Sequence, residues 1–203
     1  MITNREEVID KAFKVFLKMN YEKASISTLA KACGLTKTGI VYYFPHKQDL
    51  FIAVADKFFI QLQSPENKFE TPADSLAEFI EQYVAGVSKA MNRIVKLVDD
   101  GNNPYDCCPN FYYIHFLSQV RMYYPGIHQK LEELFRNDYD MWTRVIQKAK
   151  DSGEIKGDTN VEKTAHIFRQ TFYGISYEHA FLNGLDTNEL KENFNYLYSI
   201  LKI

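Results

Sequence analysis

Apolar residues recur along this chain at three- and four-residue spacing, and no stretch alternates as a half-buried strand would. The first stripe is Val8, Ile9, Ala12, Phe13, Phe16 and Met19, opened by the capping box Thr3-x-x-Glu6 and closed at Asn20. A second helix is expected over about 26–33 behind a Ser25 cap, and Gly34-Leu35-Thr36 interrupts it. Thr36 caps a short third helix, 37–44, and after Pro45-His46 a fourth runs from Lys47 towards Leu62.

The polar stretch 64–71 reads as a connection. A fifth helix restarts on a Thr71 cap with Pro72 in its first turn and the stripe Leu76, Ile80, Tyr83, Val87, Ile94 and Val98. After a long loop, 99–109, a sixth helix covers about 110–123 and stops at Pro125. The seventh, about 126–151, turns Ile127, Leu131, Leu134, Trp142, Val145 and Ala149 inward. The eighth opens on Thr159-x-x-Glu162 and ends at Asn183-Gly184, and the ninth opens on Asp186-x-x-Glu189. The expected fold is all-α, with about nine helices.

One segment carries chemistry. Ala30-x-x-x-Gly34 places a small residue four before a glycine that can turn the chain. Leu29, Cys33, Leu35 and Ile40 supply a small core for two crossed helices, the pattern of a helix-turn-helix. Its second helix then exposes Lys37, Thr38, Tyr42 and Tyr43 to base edges and phosphates, and Lys47 can reach the DNA backbone. Ser27, Gly39 and His46 complete the candidate DNA contacts. Charge agrees with this placement. Residues 1–60 hold nine Lys/Arg against six Asp/Glu, a net of +3, on a chain whose formal net charge is −2.

The stretch 8–55 resembles the DNA-binding domain of TetR-family transcriptional regulators. The resemblance rests on Ala12-Phe13-Lys14-Val15-Phe16, on Asn20-Tyr21-Glu22-Lys23-Ala24-Ser25-Ile26, on Leu29-Ala30-Lys31-Ala32-Cys33-Gly34-Leu35-Thr36-Lys37, and on Tyr42-Tyr43-Phe44-Pro45-His46-Lys47-Gln48-Asp49-Leu50. It implies a homodimer on a palindromic operator in double-stranded DNA, and a divergent C-terminal domain that binds a small effector. The domains divide as 1–50, a three-helix DNA-binding unit, and 51–203, an effector-binding and dimerisation unit, with the fourth helix connecting them. Three positions depart from the family pattern. Asn20 stands for the usual Gly, Val41 for a Tyr that touches the DNA backbone, and His46 for a Ser or Asn that caps the fourth helix. A charged His46 could instead meet a phosphate.

Of the 15 Phe, 14 Tyr and single Trp, 21 lie beyond residue 60, and the sixth helix is aromatic nearly all round. Such a helix is buried or lines a cavity. The resemblance places an effector pocket among helices five to eight, with Tyr83, Val87, Tyr112, Phe116, Trp142, Phe172 and Tyr173 as candidate liners. Arg121 is the candidate partner of an acidic ligand. The expected effector is a mainly apolar or aromatic small molecule that releases a repressor. Candidate dimer-interface residues are Ile167, Thr171, Ile175 and His179 on the eighth helix and Leu190, Phe194, Leu197 and Leu201 on the ninth.

The remaining chemistry is sparse. There is no phosphate-cradling Gly loop, nucleophile elbow or metal-ligand spacing, so neither enzyme activity nor a cofactor or metal is expected. No apolar run of the ~18 residues a membrane span needs occurs, and the polar, acidic N-terminus is no signal peptide, so the cytoplasm is the expected location. Adjacent Cys107 and Cys108 leave open a thiol- or metal-responsive regulator. A helical binding module without DNA function is the other alternative.

Overall fold

The computed structural model describes residues 4–63, 73–98 and 108–203. Among them are nine helices and no strand: α1 (Arg5–Lys18), α2 (Ile26–Cys33), α3 (Lys37–Tyr43), α4 (Lys47–Ala55 and its continuation), α5 (Leu76–Val98), α6 (Pro109–Tyr123), α7 (Ile127–Asp151), α8 (Val161–Ala180) and α9 (Thr187–Leu201). α4 continues through a π-helical turn, Asp56–Ile60, into a last turn at Gln61–Gln63. No apolar spacing or turn residue signals that wider turn. It is supported from outside the helix, where the buried Tyr113 hydroxyl donates to the Phe58 carbonyl at 3.0 Å.

Caps set the helix starts. Thr3 lies outside the described residues. The Asn4 side chain accepts from the Glu7 N–H and begins α1. Thr71 and Pro72 also lie outside the described residues, as does the Val98 side chain. α5 begins at Leu76, where the Ser75 hydroxyl accepts from the Glu78 N–H and the Glu154 carboxylate accepts from Leu76 and Ala77 (2.9 and 3.0 Å). The eighth helix starts one residue later than the Thr159 box implies, because Asn160 accepts from the Lys163 N–H. It ends at Ala180, earlier than expected, and Gly184 turns the chain at φ +92°. Asp186 caps α9 as the sequence indicates.

Two cores result. The first joins α1–α4 to α6 and to the far end of α5, through Phe13, Phe16, Leu29, Phe51, Phe58, Ile94 and Phe116. The second is an aromatic knot of α5, α7, α8 and α9. There Trp142 stacks on Phe168 at 4.9 Å and lies 4.9–5.4 Å from Phe79, Tyr83 and Phe194. The helix-turn-helix is therefore not a separate bead, since its core is continuous with α6.

Candidate nucleic-acid interface and the C-terminal domain

The turn between α2 and α3 is built by local rules. The Ser25 hydroxyl accepts from the Thr28 N–H, and Gly34 sits at φ +69°, where a β-carbon would be strained. The Leu35 N–H then returns to the Ala30 carbonyl at 2.8 Å. Thr36 caps α3 by accepting from the Gly39 N–H at 3.0 Å. A β-carbon on Gly39 would come within 3.3 Å of the Thr36 hydroxyl, so glycine leaves room for the cap. Ile40 and Phe44 bury one side of α3 and fix its roll.

Ser27, Lys37, Thr38, Tyr42 and His46 are exposed, Tyr42 at 83%, while Gly39 and Tyr43 are half-buried. The Tyr42 and Tyr43 rings lie 5.3 Å apart, edge to face. His46 makes no side-chain cap, but Asp49 accepts from the His46 N–H at 3.1 Å. Lys47 differs from the expectation of a freely reaching cation. Its ammonium donates to the Tyr21 carbonyl at 2.8 Å and lies 4.1 Å from the Tyr21 ring centroid.

Tyr21, which the sequence analysis did not single out, ties the α1–α2 connection to α6. Its ring stacks on Tyr123 of α6 at 4.7 Å, and its N–H donates to the Gln119 side chain at 2.6 Å. The Gln119 amide donates in turn to the Phe16 carbonyl (3.0 Å) and pairs with His115 Nδ1 (3.1 Å). Tyr123 also donates to Glu22 at 2.9 Å. A glutamine on an aromatic-rich helix was the one signal available, and spacing alone cannot show what it faces.

The candidate effector liners do not form one wall. Tyr83, Val87, Trp142 and Phe172 lie in the second core, against which Tyr173 packs, whereas Tyr112 and Phe116 belong to the first. Arg121, the candidate partner of an acidic ligand, is exposed on α6. The α6 side that buries Phe116, Gln119 and Val120 leaves residue 121 about one helical step away, in solvent. The buried arginine is Arg169 instead. Its Nε donates to Asp138 at 2.8 Å, and the Tyr173 hydroxyl donates to the same carboxylate oxygen at 3.2 Å. Burial, with the Asp138 charge next, holds the Tyr173 hydroxyl well above the ordinary phenol range.

The interface candidates divide too. Leu190 and Phe194 are fully buried in the second core, so they are not interface residues. Leu197, Leu201 and Ile175 are half-buried against it. The half-buried His179 accepts from the Asp186 N–H at 3.1 Å, and Thr171 donates back to the Ile167 carbonyl. Ile167 alone of the eight is an exposed large apolar residue, at 50%. Exposed apolar side chains lie further round, at Tyr177 on α8, Phe181 at its C-cap, and Tyr196 and Ile200 on α9. A helix stripe assigned from period alone carries this uncertainty of roll.

Cys107 lies outside the described residues, and Cys108 donates to the Ala180 carbonyl at 3.2 Å. Among the described residues no group of three or more His, Cys, Asp or Glu side chains could hold a metal ion. Nor is any described helix long and apolar enough to cross a membrane.

Residues 8–54 match the model of the bacterial regulatory proteins, tetR family. The HTH-type transcriptional regulator YuxN of Bacillus subtilis (strain 168) is 24% identical over 102 residues, 48% of this chain and 35% of that protein. This chain thus spans about a third of that relative's length in the matched region. The fold is similar to a putative transcriptional regulator from Saccharomonospora viridis in complex with choline (TM-score 0.65, 16% identity, 96% of this chain and 95% of that one). It is also similar to SmeT, the repressor of the Stenotrophomonas maltophilia multidrug efflux pump SmeDEF (TM-score 0.66, 12% identity, 99% and 91%), which has also been solved with triclosan.

Proposed function

Because residues 8–54 match the model of the tetR family of bacterial regulatory proteins, we propose that this chain is a ligand-responsive repressor of that family which holds a palindromic operator as a homodimer. The observation that carries the reading is the capped α2–turn–α3 unit, with Lys37, Thr38 and Tyr42 exposed on α3. Lys37 and Thr38 open α3 and lie nearest the base edges, and Tyr42, Tyr43 and His46 flank them towards the phosphates. Lys47 acts through its bond to Tyr21 as much as through phosphate, since one of its three donors is already used. The relatives solved with choline and triclosan support response to a small molecule.

Operator selection followed by titration at several salt concentrations tests the reading. Lys37→Ala is expected to weaken operator binding and to lower the salt slope by about one unit. Failure of the parent chain to select any DNA sequence would overturn the proposal.

The dimer forms on the outer faces of α8 and α9, where Ile167, Tyr177, Phe181, Tyr196 and Ile200 are each at least half exposed. Gly174 supports this seam. It lies exposed within α8, where a glycine costs helix stability, and an added β-carbon would meet nothing within 4 Å. A closely approaching partner helix accounts for it. Light scattering should give twice the 23.7 kDa chain mass, and Tyr177→Glu with Ile200→Glu should return the single-chain mass. An unaltered dimer in that variant would place the seam elsewhere.

A further inference from the structure

Beside the DNA-binding unit, α1, α4 and α5 border a cleft of about 740 Å³. A second hollow of about 230 Å³ shares Lys89 and Arg93 with it. We infer that this cleft binds an amphipathic anion, a carboxylate or phosphate monoester on a short apolar chain, and that it is the effector site of the regulator proposed above, on which that last step rests. The candidate aromatic pocket cannot take this role as it stands, because Trp142, Tyr83, Phe168 and Phe194 fill it with their own rings.

The cleft has the chemistry such a ligand needs. Lys89, Arg93 and Lys96 line its walls and Lys57 lines the adjoining hollow, and among the described residues Asp10 is the single carboxylate lining either. Lys89, Arg93 and Lys96 stand at i, i+4 and i+7 on α5, so one helix face brings three cationic side chains to the same cleft. Phe58, Leu62 and Leu97 supply apolar surface for a chain. The Arg93 guanidinium and the Lys57 ammonium lie 5.6 and 5.5 Å from the Phe58 ring centroid, which sets two cations around one apolar patch. Ala85, Gly86 and Ala90 keep the α5 wall low.

The position suits a switch as well. Lys57 and Phe58 ride on the π-helical turn of α4. Lys57 ties that turn to α1 through Asp10 (2.6 Å) and Glu6 (2.9 Å), and Phe58 stacks on Phe13 of α1 at 3.9 Å. An anion seated beside Lys57 competes with the two α1 carboxylates. It thereby alters how α4 holds the DNA-binding unit, and this is the differential interaction a ligand needs in order to shift a population.

Isothermal titration of the full chain with decanoate, decyl phosphate and decanol is the test. One or both anions should bind at least about tenfold more tightly than decanol, and which of them binds identifies the headgroup. The Lys89→Glu, Arg93→Glu double variant should lose at least about tenfold in anion affinity. Both replaced side chains are exposed, so its circular-dichroism melt should match the parent's. Decanol binding as tightly as the anions, absence of anion binding, or an unchanged affinity in the double variant would overturn the site. A saturating anion that leaves operator affinity unchanged would overturn its effector role. Absence of operator binding by the unliganded chain would instead sink the regulator reading and leave the anion site standing.

Discussion

Asp138→Ala is expected to lower the free energy of unfolding by about 3–5 kcal/mol, among the largest effects of any single substitution in the chain. The Asp138 and Arg169 side chains are only 11% and 10% exposed, and Arg169 Nε lies 2.8 Å from the carboxylate. Burial alone disfavours the Arg169 charge, but the hydrogen bond and charge of Asp138, together with Tyr173, hold its pKa above the ordinary arginine value. Removing Asp138 leaves a buried cation and the Tyr173 hydroxyl without their shared acceptor. The matched replacement Asp138→Leu, Arg169→Met, Tyr173→Phe removes charges and hydroxyl together, and is expected to fall within about 2 kcal/mol of the parent. Urea denaturation at one fixed protein concentration measures both, since a dimer's apparent stability depends on concentration. A loss below about 1 kcal/mol in the single variant would mean that water reaches the pair.

The second large effect is expected at Gln119. Gln119→Leu deprives the Tyr21 N–H of its acceptor and the Phe16 carbonyl of its donor, in a position only 4% exposed. At about 1–3 kcal/mol for each of the two orphaned groups, the loss should be about 2–6 kcal/mol. Gln119→Glu keeps an acceptor for Tyr21 and loses the donor to Phe16, so its cost should be no smaller, because a carboxylate would then face a carbonyl. The functional consequence follows from Tyr21, whose carbonyl and ring hold Lys47 at the start of α4. Operator affinity should fall in Gln119→Leu even at temperatures where the chain is fully folded. Unchanged affinity would show that α6 braces the DNA-binding unit without positioning it.

Both effects arise at polar residues inside helices, which is where sequence reading was weakest. The carboxamide of Gln119 and the carboxylate of Asp138 look like ordinary solvated positions in a periodic pattern. Only the packing of α6 on α1, and of α7 on α8, turns them inward. The same roll about a helix axis explains why Arg121 faces solvent and why Phe194 is core rather than seam. Period locates a stripe, but it does not say which neighbour covers it when both a core and a partner chain offer apolar surface.

Local chemistry was legible wherever it was self-contained. Ser25, Gly34, Thr36 and Asp186 act within four residues of themselves, through side-chain oxygens and a positive φ, and the structure holds each in the role its identity implies. The all-α fold and the helix-turn-helix follow from such short-range rules plus apolar spacing. What tertiary structure alone decided was long-range: the π-helical turn in α4, the Tyr21–Gln119 junction, the buried Asp138–Arg169 pair and the cationic cleft. Each joins residues distant along the chain, 31 positions apart for the ion pair and 98 for the junction. Caps and periods are fixed by neighbours along the chain, whereas these sites exist only once the helices have settled their rolls against one another.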